Sequence, residues 1–195
     1  MPQAPGPRPQ SCDMRTSDTD PIRIDAVALP SGGRIGLTFC PGKRDPHGSG
    51  GGWWRDLDTD LDALHAAGTR ALVCLLEPHE LTLLAVPALP DAVRSRGMAF
   101  LHLPIRDVDV PDARFERAWP QSAAALKARL VRGELVVVHC RGGLGRSGLV
   151  AARLLTEMGV SPQAAIARVR AVRPGAIETH AQAAHVLDRA TGGGH

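Results

Sequence analysis

One short stretch of the chain concentrates the side chains that could carry chemistry. Residues 135–158 read LVVVHCRGGLGRSGLVAARLLTEM: an apolar run, Cys140, a Gly-rich turn, then Arg146 and Ser147 opening an apolar helix. A strand ending in a tight turn at a helix N-terminus points several backbone N–H groups at one spot. The helix dipole adds partial positive charge there. Gly142, Gly143 and Gly145 permit the dihedrals that aim successive amides inward. Arg146 supplies a planar fork of donors that suits a phosphate-like oxyanion, a geometry lysine lacks. A cysteine at the mouth of such a turn is expected to be a thiolate at neutral pH, so Cys140 reads as a nucleophile held in an anion cradle. Most free cysteines are buried structural residues. The strand before Cys140, the glycines after it and the arginine at a helix start favour the reactive reading. The turn is not a Walker A loop, because G-x-x-x-x-G-K-[ST] is absent and no lysine lies in it.

The elements that must position this turn can be read from periodicity. Residues 22–29 and 34–39 look like strands joined by Pro30-Ser31-Gly32-Gly33, an early hairpin. Residues 40–52 are too rich in Gly and Pro for regular structure and read as a loop. Leu57, Leu61 and Leu64 form the stripe of an amphipathic helix over 56–67, closed by Gly68. Short apolar runs at 71–76, 100–103 and 135–139 have the character of strands buried on both faces. Residues 78–96 stay ambiguous, with helical stretches at 80–86 and 91–96 interrupted by Pro87 and Pro90. A long helix is expected over 113–131, with Pro120 kinking it or marking its start. Further helices are expected over 147–158, from Ser161-Pro162 to 170, and over 178–190. Strands alternating with helices imply an α/β fold: a central, largely parallel twisted sheet of four to five strands flanked by helices.

Composition sets the outer limits. The chain has 195 residues, 44% of them apolar, enough for a core of its own. Residues 1–20, rich in Pro, Ser, Thr and Asp, read as a disordered lead-in, 21–191 as one domain and 192–195 as a flexible tail. Lys plus Arg number 23 against 20 Asp plus Glu, a net charge of +3 that is too weak to mark a nucleic-acid binder. With three Trp, three Phe and no Tyr, base-stacking platforms are not expected. No run approaches the length of a membrane span and the N-terminus lacks an apolar signal core, so a soluble, cytoplasmic protein is expected. Cys12, Cys40, Cys74 and Cys140 form no close pair, and the eight histidines show no ligand spacing. Reduced thiols and no structural metal are therefore expected.

His139-Cys140, five residues and Arg146-Ser147 resemble the H-C-x5-R-[ST] signature of cysteine-based protein tyrosine and dual-specificity phosphatases. The fuller string HCRGGLGRSG is most similar to the kinase-associated phosphatase branch of that superfamily. GRIGLTFCPGK, LPIRDVDVPD and RPGAIETHAQ extend the resemblance over residues 34–187. The resemblance implies a phosphatase-like domain and a two-step hydrolysis, in which Cys140 attacks phosphorus and water then hydrolyses the phosphocysteine. Arg146 would bind the phosphoryl oxygens, with the loop Arg141, Gly142, Gly143, Leu144 and Gly145 sharing that task. Ser147 would hydrogen-bond the sulfur and His139 would brace the loop. A general acid must protonate the leaving oxygen. The P-I-x-D pattern at 104–107 points to Asp107, with Asp109 and Asp112 as rivals that could equally be solvated carboxylates or a helix cap. Gln182 would position water for the second step, or else lie on a solvated helix face. No metal or organic cofactor is implied. The expected partner is a phosphorylated protein, bearing phosphotyrosine alone or phosphoserine and phosphothreonine as well, with no nucleic acid and no membrane.

Two other classes compete. A rhodanese-type sulfurtransferase also uses a cysteine in an anion loop, but needs no acid such as Asp107, and G-x-x-R-S-G fits phosphatases better. A phosphate-binding pseudophosphatase or adaptor would retain the cradle without turnover. Cys40 or Cys74 could form a protective disulfide with Cys140 under oxidation, or be inert core thiols. Trp53-Trp54 is expected to pack at the start of the first helix.

Overall fold

The computed structural model describes residues 14–48 and 51–188. Its main sheet has five strands in the order β1-β2-β7-β5-β6. Strand β1 (Asp25–Ala28) pairs antiparallel with β2 (Arg34–Thr38). Strands β2, β7 (Leu135–His139), β5 (Thr69–Cys74) and β6 (Ala99–His102) are all parallel. The largely parallel α/β architecture read from the sequence is the one observed, and β7 sits at its centre. Thr38, His139 and Cys74 lie side by side at the C-terminal ends of their strands. In open α/β sheets that edge is where ligands bind.

The two faces of β7 explain its uninterrupted apolar run. Val136 and Val138 point into one core, with Leu37, Val73, Leu126, Leu149 and Leu154; Leu135 and Val137 point into the other, with Leu61, Leu64, Leu72 and Val93. Helices α4 (Ala113–Val131), α5 (Gly145–Glu157) and α6 (Pro162–Val172) supply the first core. Helices α1 (Leu57–Ala66), α2 (Pro78–Leu83) and α3 (Leu89–Ser95) supply the second. The last helix, α7 (His180–Asp188), packs on α5. Period-2 alternation along a doubly covered strand leaves no polar face for the pattern to reveal.

Several elements differ from the sequence expectation. The ambiguous 78–96 resolves into α2 and α3, each opened by a proline in its first turn. Helix α4 begins at Ala113 on an Asp112 N-cap, so Pro120 lies inside it rather than at its start. The expected loop 40–52 contains β3 (Arg44–Asp45), which pairs with β4 (Trp53–Trp54) in a small second sheet. Two-residue strands are too short to show a period. Residues 14–20, assigned on composition to a disordered lead-in, are held against the domain. Thr16 and Ser17 are buried, Arg15 bridges to Trp53, and the buried Arg55 guanidinium donates to the carbonyls of Thr16 and Asp20. The rest of that lead-in, with Cys12, and the tail 192–195 lie outside the described residues. No described helix is long and apolar enough to cross a membrane.

Candidate active site

Strand β7 delivers His139 and Cys140 to the edge of the sheet, and residues 141–144 turn back into the first residue of α5, Gly145. The N–H of Gly143 donates to the Cys140 sulfur at 3.2 Å, and the Ser147 hydroxyl lies 3.5 Å from the same atom. The loop carbonyls are all engaged from outside. Arg141 O accepts from Lys43 Nζ at 3.1 Å and from Cys40 N at 3.3 Å. Arg173 donates to Gly142 O and Gly143 O, both at 3.1 Å, while Leu144 O accepts from the N–H groups of Gly148 and Ile177. In a planar trans peptide the N–H opposes the C=O. Carbonyls drawn outward therefore turn the next amides inward, which is how a loop of this length becomes a nest for an anion. Gly143 has φ +72°, and a Cβ there would lie 2.5 Å from the Thr38 carbonyl. Only glycine fits.

Arg146 leaves the first turn of α5 with 2% of its surface exposed. Its two terminal nitrogens form a bidentate pair with Glu80 of α2 at 2.7 and 2.9 Å, and one of them donates to Ile105 O at 3.0 Å. The other lies 2.9 Å from Asp107 Oδ1. The Nε donor is buried without a hydrogen-bond partner among the described residues. A buried donor with no partner is costly unless a ligand completes it. Burial works against the Arg146 charge, yet the Glu80 hydrogen bond and the neighbouring acids leave its proton more firmly held than usual. Glu80 is likewise opposed by burial, but hydrogen bonds from Arg146 and the Glu77 N–H hold its carboxyl below the ordinary glutamate value.

The three candidate acids part company. Asp107 is about half exposed on the loop after β6, reaches Arg146, and lines the same cleft as Cys140. Its Oδ1 also accepts from Val108 N, where the backbone takes φ +54°. Asp112 is committed to the N-terminus of α4, accepting from Phe115 N at 2.9 Å. Asp109 accepts from Val110 N, and neither it nor Asp112 lines the cleft.

His139 is fully buried, with Nδ1 3.3 Å from Cys140 O, and burial pushes its pKa down to about 4. Its other ring nitrogen is buried without a hydrogen-bond partner among the described residues. Gln182 is neither on a solvated face nor in the cleft. It is fully buried, its amide donates to Asp109 O at 3.3 Å, and a Cβ on Gly145 would touch its amide at 3.1 Å. It ties α7 to the loop that bears Asp107 and Asp109. Cys40 and Cys74 are buried beside the site, and burial raises both thiols, that of Cys74 to about 12. Among the described residues, no group of three or more His, Cys, Asp or Glu is arranged to hold a metal ion.

The cleft has a volume of about 620 Å³ and is lined by Cys140, Arg141, Gly142, Leu144 and Arg146, with Asp107 on its rim. Sequence reasoning missed two of its parts. Glu80 sits in a stretch with no clear period and is 66 positions from its partner, so nothing local marks it. The wall formed by Phe39, Lys43 and Trp53 comes from the segment between β2 and β3 and from β4, stretches whose composition resembles a loop. Trp53 does lie just ahead of α1, but its ring faces the cleft.

A central parallel sheet ending in this loop is the fold of the protein tyrosine and dual-specificity phosphatases. A kinase associated phosphatase bearing serine in place of its catalytic-site cysteine superposes with a TM-score of 0.75 at 28% identity. The match covers 88% of this chain and 95% of that one. The active form of Tk-PTP matches with a TM-score of 0.60 at 31% identity, over 80% of this chain and 89% of that one. The curated relatives include cyclin-dependent kinase inhibitor 3 of Rattus norvegicus, 36% identical over 128 residues, and that of Homo sapiens, 34% identical over 128 residues. Each match covers 64% of this chain and 59% of the relative, so the chain spans about three fifths of the length of these proteins. The family model for the PTP-SAK (Swiss Army Knife) DSP-PTPase phosphatase domain matches residues 55–186. The chain belongs to this DSP-PTPase phosphatase family.

Proposed function

We propose that the protein is a phosphomonoester hydrolase of the protein tyrosine/dual-specificity type, acting on phosphorylated proteins through a phosphocysteine at Cys140 without a metal. The observation that carries this reading is the convergence, in one cleft, of the Cys140 sulfur, an inward-turned amide loop, Arg146 with an uncommitted Nε, and the Asp107 carboxyl. The substrate phosphate sits in the nest of residues 141–146 and takes donors from Arg146. It competes there with Asp107 and frees that exposed carboxyl to swing to the leaving oxygen. The Cys140 sulfur attacks phosphorus in line, the ester P–O bond breaks, and Asp107 gives its proton to the departing alcohol or phenol. Water then attacks the phosphocysteine with the same carboxyl as base. The sulfur leaves as thiolate, stabilised by the Gly143 N–H and the Ser147 hydroxyl. The cytoplasm, which keeps thiols reduced, is the compartment that suits such a site.

The test is hydrolysis of p-nitrophenyl phosphate and phosphopeptides in excess chelator, wild type beside Cys140→Ser. Chelator-resistant turnover that disappears in the variant, with vanadate binding retained, is the expected result. Failure of fresh reduced protein to turn over any phosphomonoester would overturn the reading. Thiosulfate:cyanide transfer would then identify a sulfurtransferase, and retained oxyanion binding alone a phosphate-binding adaptor.

A further inference from the structure

Glu178 lines the cleft together with Cys140, Arg146 and Asp107, and the mechanism gives it no task. It is exposed, and among the described residues its carboxylate has no hydrogen bond or ion pair. Arg146 is paired with Glu80 and Asp107, Arg141 with Asp45 at 2.8 Å, and Arg173 with Asp25 at 2.7 Å, so no guanidinium of the cradle is left to answer it. A Cβ on Gly145, the first residue of α5, would collide with Glu178 Oε2. The carboxylate therefore lies against the helix end that closes the cradle.

The backbone on both sides of Glu178 is pinned. Ile177 N–H donates to Leu144 O at 3.2 Å, and Ile177 O accepts from the Arg170 guanidinium at 3.0 Å. Thr179 N–H donates to Gln182 Oε1 at 3.3 Å, while Gln182 N–H donates to Thr179 Oγ1 at 3.1 Å. Thr179 and Gln182 thus close the start of α7 between them, and the Glu178 carboxylate is not spent on capping it. Ile177 takes φ +60°, a left-handed conformation that a β-branched residue adopts only where its surroundings enforce it. Glu178 is therefore aimed by a fixed, strained turn, which removes the ordering cost that a loose surface acid would incur on binding.

A fixed carboxylate beside a phosphate nest repels the ligand that the nest attracts, and screening is weaker in a cleft than in open solvent. The same carboxylate attracts a ligand that brings its own cation within reach. We propose that Glu178 is a specificity-determining residue, and that the preferred substrate is a phosphopeptide with a lysine or arginine next to the phosphorylated residue. This deepens the phosphatase reading and rests on it for the reacting phosphate. The phosphate occupies the nest, and the neighbouring cation of the substrate pairs with Glu178 on the rim. Small amino-alcohol phosphates carry the same two charges. A peptide fits better, because the cleft of about 620 Å³ far exceeds such a molecule and Val108, 64% exposed, offers its side chains an apolar contact.

The experiment uses phosphotyrosine peptides that carry lysine, alanine or glutamate at both positions flanking the phosphotyrosine. It reads kcat/KM in the wild type and Kd in Cys140→Ser, each also with Glu178→Gln, Glu178→Asp or Glu178→Lys. Lysine should be preferred to alanine about fivefold, the worth of one partly screened ion pair, and to glutamate by more. The lysine preference should fall to within about twofold in Glu178→Gln, survive in Glu178→Asp, reverse in Glu178→Lys and shrink with added salt. Vanadate, which brings no cation, should bind Glu178→Gln more tightly than the wild type, because the repulsion is gone and the nest is intact. Equal values for the lysine and glutamate peptides, a preference unchanged in Glu178→Gln, or vanadate affinity that does not rise there would overturn the assignment. Faster hydrolysis of O-phosphoethanolamine than of the lysine peptide would overturn the choice of a peptide. If the wild type hydrolyses nothing, the phosphatase reading fails, and the Kd ratio in Cys140→Ser still decides whether Glu178 selects a cation.

Discussion

Glu80 and Arg146 stand 66 positions apart in the chain and meet as a bidentate ion pair at 2.7 and 2.9 Å, each almost wholly buried. The pair takes one hydrogen from each terminal nitrogen; Ile105 O engages one of these nitrogens, Asp107 meets the other, and Nε is left without a partner among the described residues. These contacts therefore fix which edge of Arg146 an anion meets. Glu80 is held in turn by the Glu77 N–H, which donates to its carboxylate at 2.8 Å in a capping box that opens α2. The short helix that looked ambiguous in sequence is the mount for Arg146.

Glu80→Gln should accordingly behave as a positioning variant. It keeps the side-chain volume but leaves the Arg146 charge buried beside a neutral amide, which costs about 3 kcal/mol of stability, read from urea unfolding. The guanidinium also loses its fixed rotation, so kcat/KM for p-nitrophenyl phosphate should fall roughly 10²-fold, with vanadate affinity falling in parallel. A purely structural role would lower the unfolding midpoint and leave the vanadate affinity of the folded fraction untouched.

Legibility in the sequence followed distance along the chain. Cys140, Gly143, Arg146 and Ser147 lie within one strand–turn–helix unit, so their spacing alone implied the cradle now seen around the sulfur. The parallel sheet was readable because β5 and β7 are apolar on both faces. Glu80 and Lys43 were not readable, because each acquires its meaning from a partner brought by a different element. The solvated-face alternative for Gln182 fails for a related reason. A polar residue in an Ala-rich helix looks solvated until the loop bearing Asp109 is seen to accept from it. Residues 14–20 have a composition typical of disorder, and what holds them comes from distant partners: the buried Arg55 guanidinium, Asp56 and the Trp53–Trp54 strand.

Asp107 and Asp112, at the two ends of the loop between β6 and α4, should separate cleanly. Asp107→Asn should slow hydrolysis of an alkyl phosphate, whose leaving group needs a proton, far more than that of p-nitrophenyl phosphate, and should flatten the limb of the pH–rate profile that reports the acid. Asp112→Ala removes the cap on Phe115 N and should cost about 1 kcal/mol of stability while leaving this leaving-group dependence unchanged. The opposite pattern would transfer the acid role away from Asp107.

His139 predicts a pH window for stability. Its ordinary pKa of 6.5 falls to about 4 in the folded chain, chiefly because burial disfavours the charged ring. The unfolded chain therefore takes up a proton first as pH drops. The contribution is present in full above about 6.5 and is lost progressively as pH falls toward 4. Between pH 7 and pH 5, above the range of most carboxylates, the unfolding free energy should drop by about 2 kcal/mol through this group. His139→Asn should remove that slope, which equilibrium urea denaturation at the two pH values would read directly.

Arg173 offers the sharpest test of the idea that outward-drawn carbonyls make the anion nest. Its guanidinium spans three acceptors, Gly142 O, Gly143 O and the Asp25 carboxylate, and so binds the outside of the loop to the edge strand β1. Lysine has the charge but one nitrogen, and cannot bridge two successive carbonyls and a carboxylate. Arg173→Lys should therefore lower kcat/KM about tenfold through a raised KM and weaken vanadate binding equally, because the amides opposite those carbonyls lose their fixed direction. Asp25→Asn keeps both loop contacts available and should do much less. If Arg173→Lys and Asp25→Asn are indistinguishable, the arginine acts through charge alone, and the loop amides are held by the backbone without its help.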